Sequence, residues 1–291
     1  MVEPRQNTTN AVRVLILLAL AMAGTIVTAL VGGVMTFAKV NMMWTIVLQD
    51  VLVFIVPAIL LAVICYTQPW RLLEIDRAPS GVALLLVVAV WGVSMPALNW
   101  VVDWNQNIHL PAGLAGIEQN LLAMEDSLEE VTRQLLTLHS VGDLMVGVVV
   151  VGVLAGVSEE FFFRGALMGI MRRGRANIHI VIWVVAIVFS AIHMQFFGFV
   201  PRMLLGVWFG YLLVWTRSLW VPVCAHALNN GAVTLLQWMD TNHYIDGHAL
   251  EQLGVPADGQ FPLLALASAV ATVLLIVVAK NLFSKKVAQN A

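Results

Sequence analysis

The sequence predicts an all-α, polytopic membrane protein with about eight transmembrane helices enclosing an intramembrane cavity. Three observations point there. Hydrophobic residues make up 60% of the chain and charged residues only 11%. The mean hydropathy is +0.88. Runs of roughly 20 apolar residues recur from one end of the chain to the other. A soluble protein of this composition could not cover its own surface with polar groups. The net charge of −2 excludes the basic field that a nucleic-acid partner would require. Cys65 and Cys224 both fall in apolar runs, with neither a disulfide framework nor CxxC metal spacing.

Taken in order, the candidate spans lie at about 12–38, 44–66, 81–101, 142–171, 179–197, 200–216, 219–238 and 261–283. Arg5 and Arg13 precede the first, but its apolar run is too long for a cleaved signal and suits a helix that stays. The fourth is longer than a bilayer needs and must tilt or protrude. The sixth is the shortest. No internal repeat is visible, so residues 1–291 read as a single membrane domain.

Basic residues set the orientation. With the N-terminus inside, the cytosolic segments hold Arg5, Arg13, Arg71, Arg77, Arg172, Arg173, Arg175, Arg217, Lys280, Lys285 and Lys286, and the outer segments hold only Lys39, Arg133 and Arg202. Both termini are expected in the cytosol, and the expected home is the plasma membrane if the source is prokaryotic. The outer loop 102–141 carries Ile117, Leu121, Met124, Leu128, Val131, Leu135 and Leu138 at alternating four and three spacing, which is an amphipathic helix. Its acidic face argues against adhesion to anionic lipid and for a cover over the bundle.

The fourth span holds two adjacent acids, Glu159 and Glu160. An acid at the centre of a membrane helix costs roughly 3 kcal/mol, so such residues mark function by default. Glu160 and Arg164 are four apart and share a helix face, so they can pair. Glu159 is rotated by about 100° and is free for another task. Phe189 and His193 are four apart in the fifth span, and His226 and Asn230 are four apart in the seventh. Counted from the cytosolic ends at about 1.5 Å per residue, Glu159 and His193 lie roughly 21 Å deep, His226 roughly 12 Å and Asn230 roughly 18 Å. They can meet in one cavity, expected to open to the cytosol.

A carboxylate and an imidazole sharing a water make a general-base pair for hydrolysis. A second imidazole with an amide can donate to the oxyanion formed at a peptide carbonyl. Glu159, His193 and His226 equally suit a divalent metal, zinc being the best match, and the spacing leaves both mechanisms open. There is no HExxH, Asp50 is the only aspartate inside a span, and Ser158 lacks the following glycine of a GxSG motif. Asp50 alone reads as a packing or helix-end residue, and Phe189 as a cavity wall.

At these residues the chain resembles the CPBP family (CAAX protease and bacteriocin-processing, or Abi, intramembrane endopeptidases), which includes the type II CAAX prenyl endopeptidases. The family's EExxxR reads Glu159-Glu160-Phe-Phe-Phe-Arg164, its FxxxH reads Phe189-Ser-Ala-Ile-His193, and its HxxxN reads His226-Ala-Leu-Asn-Asn230. The resemblance covers about 140–238. It implies that Glu159 and His193 position the water, that His226 and Asn230 stabilise the oxyanion, and that Glu160 and Arg164 support them. The expected activity is endopeptidase cleavage of a membrane-associated protein or peptide, with the lipid bilayer as the other partner. The competing readings are a non-catalytic scaffold or bacteriocin-immunity protein of the same fold, and a proton-coupled transporter. Neither the substrate nor the oligomeric state is written in the chain.

Overall fold

The computed structural model describes residues 3–5, 8–174, 176–257 and 260–289. Arg175, counted above among the cytosolic basic residues, lies outside them, and so do the side chains of Lys285 and Lys286. Among the described residues there is no β-strand. The longer helices are α1 (Asn10–Phe37), α2 (Met42–Cys65), α3 (Gly81–Gln106), α4 (Ala115–Leu136), α5 (Val141–Met171), α6 (Ile178–Ala191), α7 (Phe199–Thr216), α8 (Trp220–Thr241) and α9 (Leu263–Gln289).

Local chemistry sets where these helices begin. A helix leaves its first N–H groups unpaired, and a short polar side chain placed just before it satisfies one of them. Thr9 caps α1 by accepting from Val12 N, Asn41 caps α2, Ser80 caps α3 and Asn177 caps α6. Ser140 and Asp143 cap α5 reciprocally in a capping box. Helix α7 stops where Arg217 turns left-handed at φ 55°.

Six helices (α1, α2, α3, α5, α7 and α9) are long and apolar enough to cross a membrane. The expected count of eight is not reached by that measure, for two physical reasons. Helix α6 has only 14 residues. Helix α8 has the length, with 22 residues, but carries His226, Asn229, Asn230 and Asp240 and is therefore less apolar. Large apolar side chains along α1 (Leu15, Leu18, Met22, Ile26, Leu30, Val34) stand exposed at three- and four-residue spacing. Such a stripe on a soluble protein would be a sticky patch; here it faces lipid. The chain is an integral, multi-pass membrane protein.

One end of the bundle carries the basic residues. Glu74 pairs there with Arg172 at 2.9 Å and with Arg217 at 3.7 Å, and Ser218 Oγ donates to the Arg77 carbonyl at 2.6 Å. Helix α4 lies at the other end, where α3 finishes and α5 begins. It is tied to the turn between α6 and α7 by Glu125, whose carboxylate accepts from Phe197 N at 3.0 Å. Between these ends Phe54, Phe161, Phe162, Phe163 and Phe189 form an aromatic core where α2, α5 and α6 meet. Ring pairs such as Phe163 and Phe189, with centroids 5.2 Å apart and nearly perpendicular, fix their relative positions.

Candidate active site

Helix α5 is not uniformly α-helical. It widens into π-helical turns over Val148–Leu154 and Phe161–Leu167, with one and a half α-helical turns, Ala155–Glu160, between them. Such widened turns re-aim side chains and recur at functional sites. Both acids sit at the end of the ordinary segment. A close approach by α8 brings its side chains to them: a Cβ on Gly156 would stand 3.0 Å from Ala227 N, and one on Gly152 would stand 3.1 Å from Gly231 Cα. Glycine at both positions lets the two backbones lie this near without either helix shifting.

Glu160 and Arg164 are completely buried, with side-chain exposures of 0%. Arg164 Nη1 donates to Glu160 Oε1 at 2.8 Å, and Nη2 donates to the Gly206 carbonyl at 3.0 Å. The guanidinium also lies over Phe189, 4.4 Å from the ring centroid, an attraction strengthened by its complete burial. The same Glu160 oxygen lies 3.0 Å from His226 Nδ1. A carboxylate accepts, so Nδ1 carries a proton and the other ring nitrogen is turned away from Glu160. Phe209 stacks on the imidazole at 5.1 Å and Phe189 meets it edge-on at 5.9 Å, which locks the ring plane.

His226 Nε2 lies 3.7 Å from Glu159 Oε2, and that oxygen has no hydrogen-bond partner. Glu159 therefore keeps a lone-pair-bearing atom free beside an oriented imidazole. It lines a cavity of about 520 Å³ together with His193, His226, Asn230, Phe189 and Phe209. Glu160 and Arg164 stand behind that wall and do not line it.

His193 departs from its expected place on a helix. Helix α6 ends at Ala191, Met194 has φ 57°, and His193 lies in the intervening turn. Its Nδ1 bonds the Phe189 carbonyl at 2.8 Å, which satisfies one of the orphan carbonyls at the helix end. That bond places the proton on Nδ1 and leaves Nε2 able to accept. Asn230 reaches the cavity, but its Nδ2 also donates to the Val151 carbonyl at 3.2 Å, so one of its two N–H groups is committed to α5.

One expectation is corrected. The cavity does not open at the basic end. Its outer lining comes from Val102, Gln106, Glu125, Glu129 and Thr132 at the α4 end, because α6 stops short and leaves the turn carrying His193 and Phe197 on that side. Glu159, His193 and His226 line the same cavity. Among the described residues no three His, Cys, Asp or Glu side chains are gathered to hold an ion, so no step below runs through one.

Spacing did not reveal Phe209, Arg202 or Asp50 as neighbours of the site. Arg202 carried a faint signal, a cation at the head of an apolar run. Asp50 is buried in mid-chain of α2, close enough to Glu159 and His226 to feel their charges, and its Oδ2 has no partner. Of the packing and helix-end roles expected for it, its burial suits packing, and it stands where the α-helical stretch Met42–Gln49 passes into π-helical turns within α2.

Comparison with known proteins bears out the resemblance read from the motifs. Residues 141–232 match the model of the type II CAAX prenyl endopeptidase Rce1-like family. The chain is 22% identical over 208 residues to YdiL of Bacillus subtilis, whose name marks it as a candidate membrane peptidase, covering 71% of this chain and 78% of the relative. It is 30% identical over 96 residues to the membrane-embedded CAAX protease MroQ of Staphylococcus aureus, covering 31% of this chain and 38% of that one. No solved structure matches.

Proposed function

We propose that this protein is an intramembrane endopeptidase that hydrolyses a peptide bond with a water held by Glu159 and His193. The reading rests on one observation above the others: Glu160 accepts from His226 Nδ1 at 3.0 Å, while Glu159 lines the cavity with its buried Oε2 3.7 Å from Nε2 and without a hydrogen-bond partner. Two neighbouring carboxylates with such different surroundings suit different tasks.

In the proposed reaction, Glu159 takes a proton from the water as its oxygen attacks the carbonyl carbon of the substrate. His193 Nε2 accepts from the same water and orients it. The C=O π bond opens to an oxyanion, which accepts from His226 Nε2–H when the ring carries both protons, and from the free N–H of Asn230. When the C–N bond breaks, Glu159 returns the proton to the leaving amine. Glu160 and Arg164 touch no reacting atom. They hold the imidazole in place.

The match to the type II CAAX prenyl endopeptidase model and the names of both relatives support peptidase chemistry. The test is cleavage of a quenched-fluorescent peptide library by the detergent-purified protein, beside Glu159→Ala and His226→Ala, each with and without a zinc chelator. The expected result is cleavage by wild type, at least 100-fold less by each variant, and no chelator effect. Cleavage that survives Glu159→Ala removes the assigned base. Loss with chelator moves the water onto a metal. A folded wild type that cleaves nothing shifts the reading to a scaffold or immunity protein.

A further inference from the structure

Arg202, in the first turn of α7, is the only lysine or arginine lining the cavity among the described residues. Its Nη2 donates to Gln195 Oε1 at 2.5 Å, and Gln195 lines the cavity too. Its Nη1 is buried and has no hydrogen-bond partner. The guanidinium packs against Gly198, where a Cβ would stand 3.3 Å from Nη2 and 3.7 Å from Nη1, so a glycine there lets the fork lie where it does. Glu125 and Glu159 are near enough for their charges to act on Arg202, but among the described residues neither hydrogen-bonds it, and Glu125 Oε2 accepts instead from Phe197 N.

A buried charged donor left without an acceptor is unfavourable, and native proteins rarely keep one without a use. The acceptor that best fits a planar fork of N–H groups is a carboxylate. The other charged side chains of the lining, Glu125, Glu129 and Glu159, are acids. Glu125 and Glu159 lie close enough to act on Arg202 through their charge, and Arg202 is the one lysine or arginine of the described lining that can hold a carboxylate-bearing peptide in register. We propose that Arg202, steadied by Gln195, is a specificity-determining residue that binds a carboxylate of the peptide substrate and so fixes which bond reaches Glu159. The carboxylate is either the chain terminus or an acidic side chain. This deepens the peptidase reading and rests on it.

The test is binding, so that it does not depend on turnover. The full-length protein in the Glu159→Gln background is titrated with an N-acetylated hexapeptide of alanine and leucine in three forms: free acid, C-terminal amide, and amide with glutamate at the last position. Arg202→Gln and Arg202→Lys are measured alongside, with a thermal melt to show that each is folded. The free acid is expected to bind at least about tenfold more tightly than the plain amide. Arg202→Gln brings the acid down to the amide's affinity and leaves the amide unchanged, and Arg202→Lys falls between. Recovery by the glutamate amide assigns a side-chain carboxylate; recovery by the free acid alone assigns the terminus. Equal affinities, binding by none of the forms, or an equal loss for acid and amide in Arg202→Gln overturns the proposal. Carboxylate-selective binding by a wild type that cleaves nothing removes the peptidase reading and leaves Arg202 standing.

Discussion

At the scale of single residues, the two neighbouring glutamates should fail in opposite ways. Glu160 shares one oxygen between Arg164 and His226 and is fully shut off from bulk solvent. Removing its charge leaves a fully buried guanidinium without its counter-ion. Breaking a buried pair in this way costs about 3–5 kcal/mol, because the remaining charge cannot be solvated. Glu160→Gln is therefore expected to lower the thermal midpoint of the purified protein strongly and to cut activity as a consequence. Glu159→Gln removes no hydrogen bond from the fold, since Oε2 has no partner. It should melt at or above the wild-type temperature while losing at least 100-fold in kcat. Differential scanning fluorimetry beside peptide cleavage separates the two. Equal melting of both variants would mean that Glu160 does not hold the site together.

At the scale of elements, the contact between α5 and α8 sets the distance between the acids and the second histidine. Gly156 meets the Ala227 backbone so closely that a Cβ would stand 3.0 Å from its N and 3.3 Å from its Cα, and α8 would have to give way. Gly156→Val must push α8 outward, at an overpacking cost of about 1–3 kcal/mol. The expected result is a protein that still inserts but loses activity, with His226 moved away from Glu160. Gly113→Val, where a Cβ would meet nothing within 4 Å, serves as the control and should change neither. Helix α4 offers a separate test. Glu130 is held at about 2, below its ordinary 4.5, by hydrogen bonds from Arg133 and Gln134. A depressed carboxylate contributes stability that is present above its unfolded value and is lost as pH falls through the folded one. The protection factors of α4 amides, with the intrinsic pH dependence of exchange divided out, should therefore fall between about pH 4.5 and pH 2. Glu130→Gln should remove the part of that fall seen in the last turns of the helix, leaving the part that Glu118 contributes at the first turn.

At the scale of the whole molecule, hydropathy made most of the helices legible, because the bilayer demands about 20 apolar residues per crossing. The pairing of Glu160 with Arg164 was legible too, since i and i+4 share a face. The end of α6 was not. Its apolar run continues to Val200, but the left-handed turn at Met194 and the bond from His193 to the Phe189 carbonyl stop the helix early. Nothing in hydropathy marks that stop. The error propagated: counting residues along an uninterrupted helix put the cavity mouth at the basic end. The tertiary arrangement puts it under α4, at the other end. Combined with the charge bias of the loops, this has a consequence for access. If the basic end faces the cytosol, as the positive-inside rule requires, the cavity is reached from the opposite side of the membrane. Single cysteines introduced into a Cys65→Ala, Cys224→Ala background decide it. Thr132→Cys, exposed on α4 at the mouth, should react with a membrane-impermeant maleimide on intact cells. Arg217→Cys, half-exposed at the basic end, should react only after permeabilisation. The reverse pattern would place the mouth in the cytosol and overturn the orientation drawn from the loop charges, while the two labels reacting alike would show that these positions do not lie on opposite faces of the bilayer.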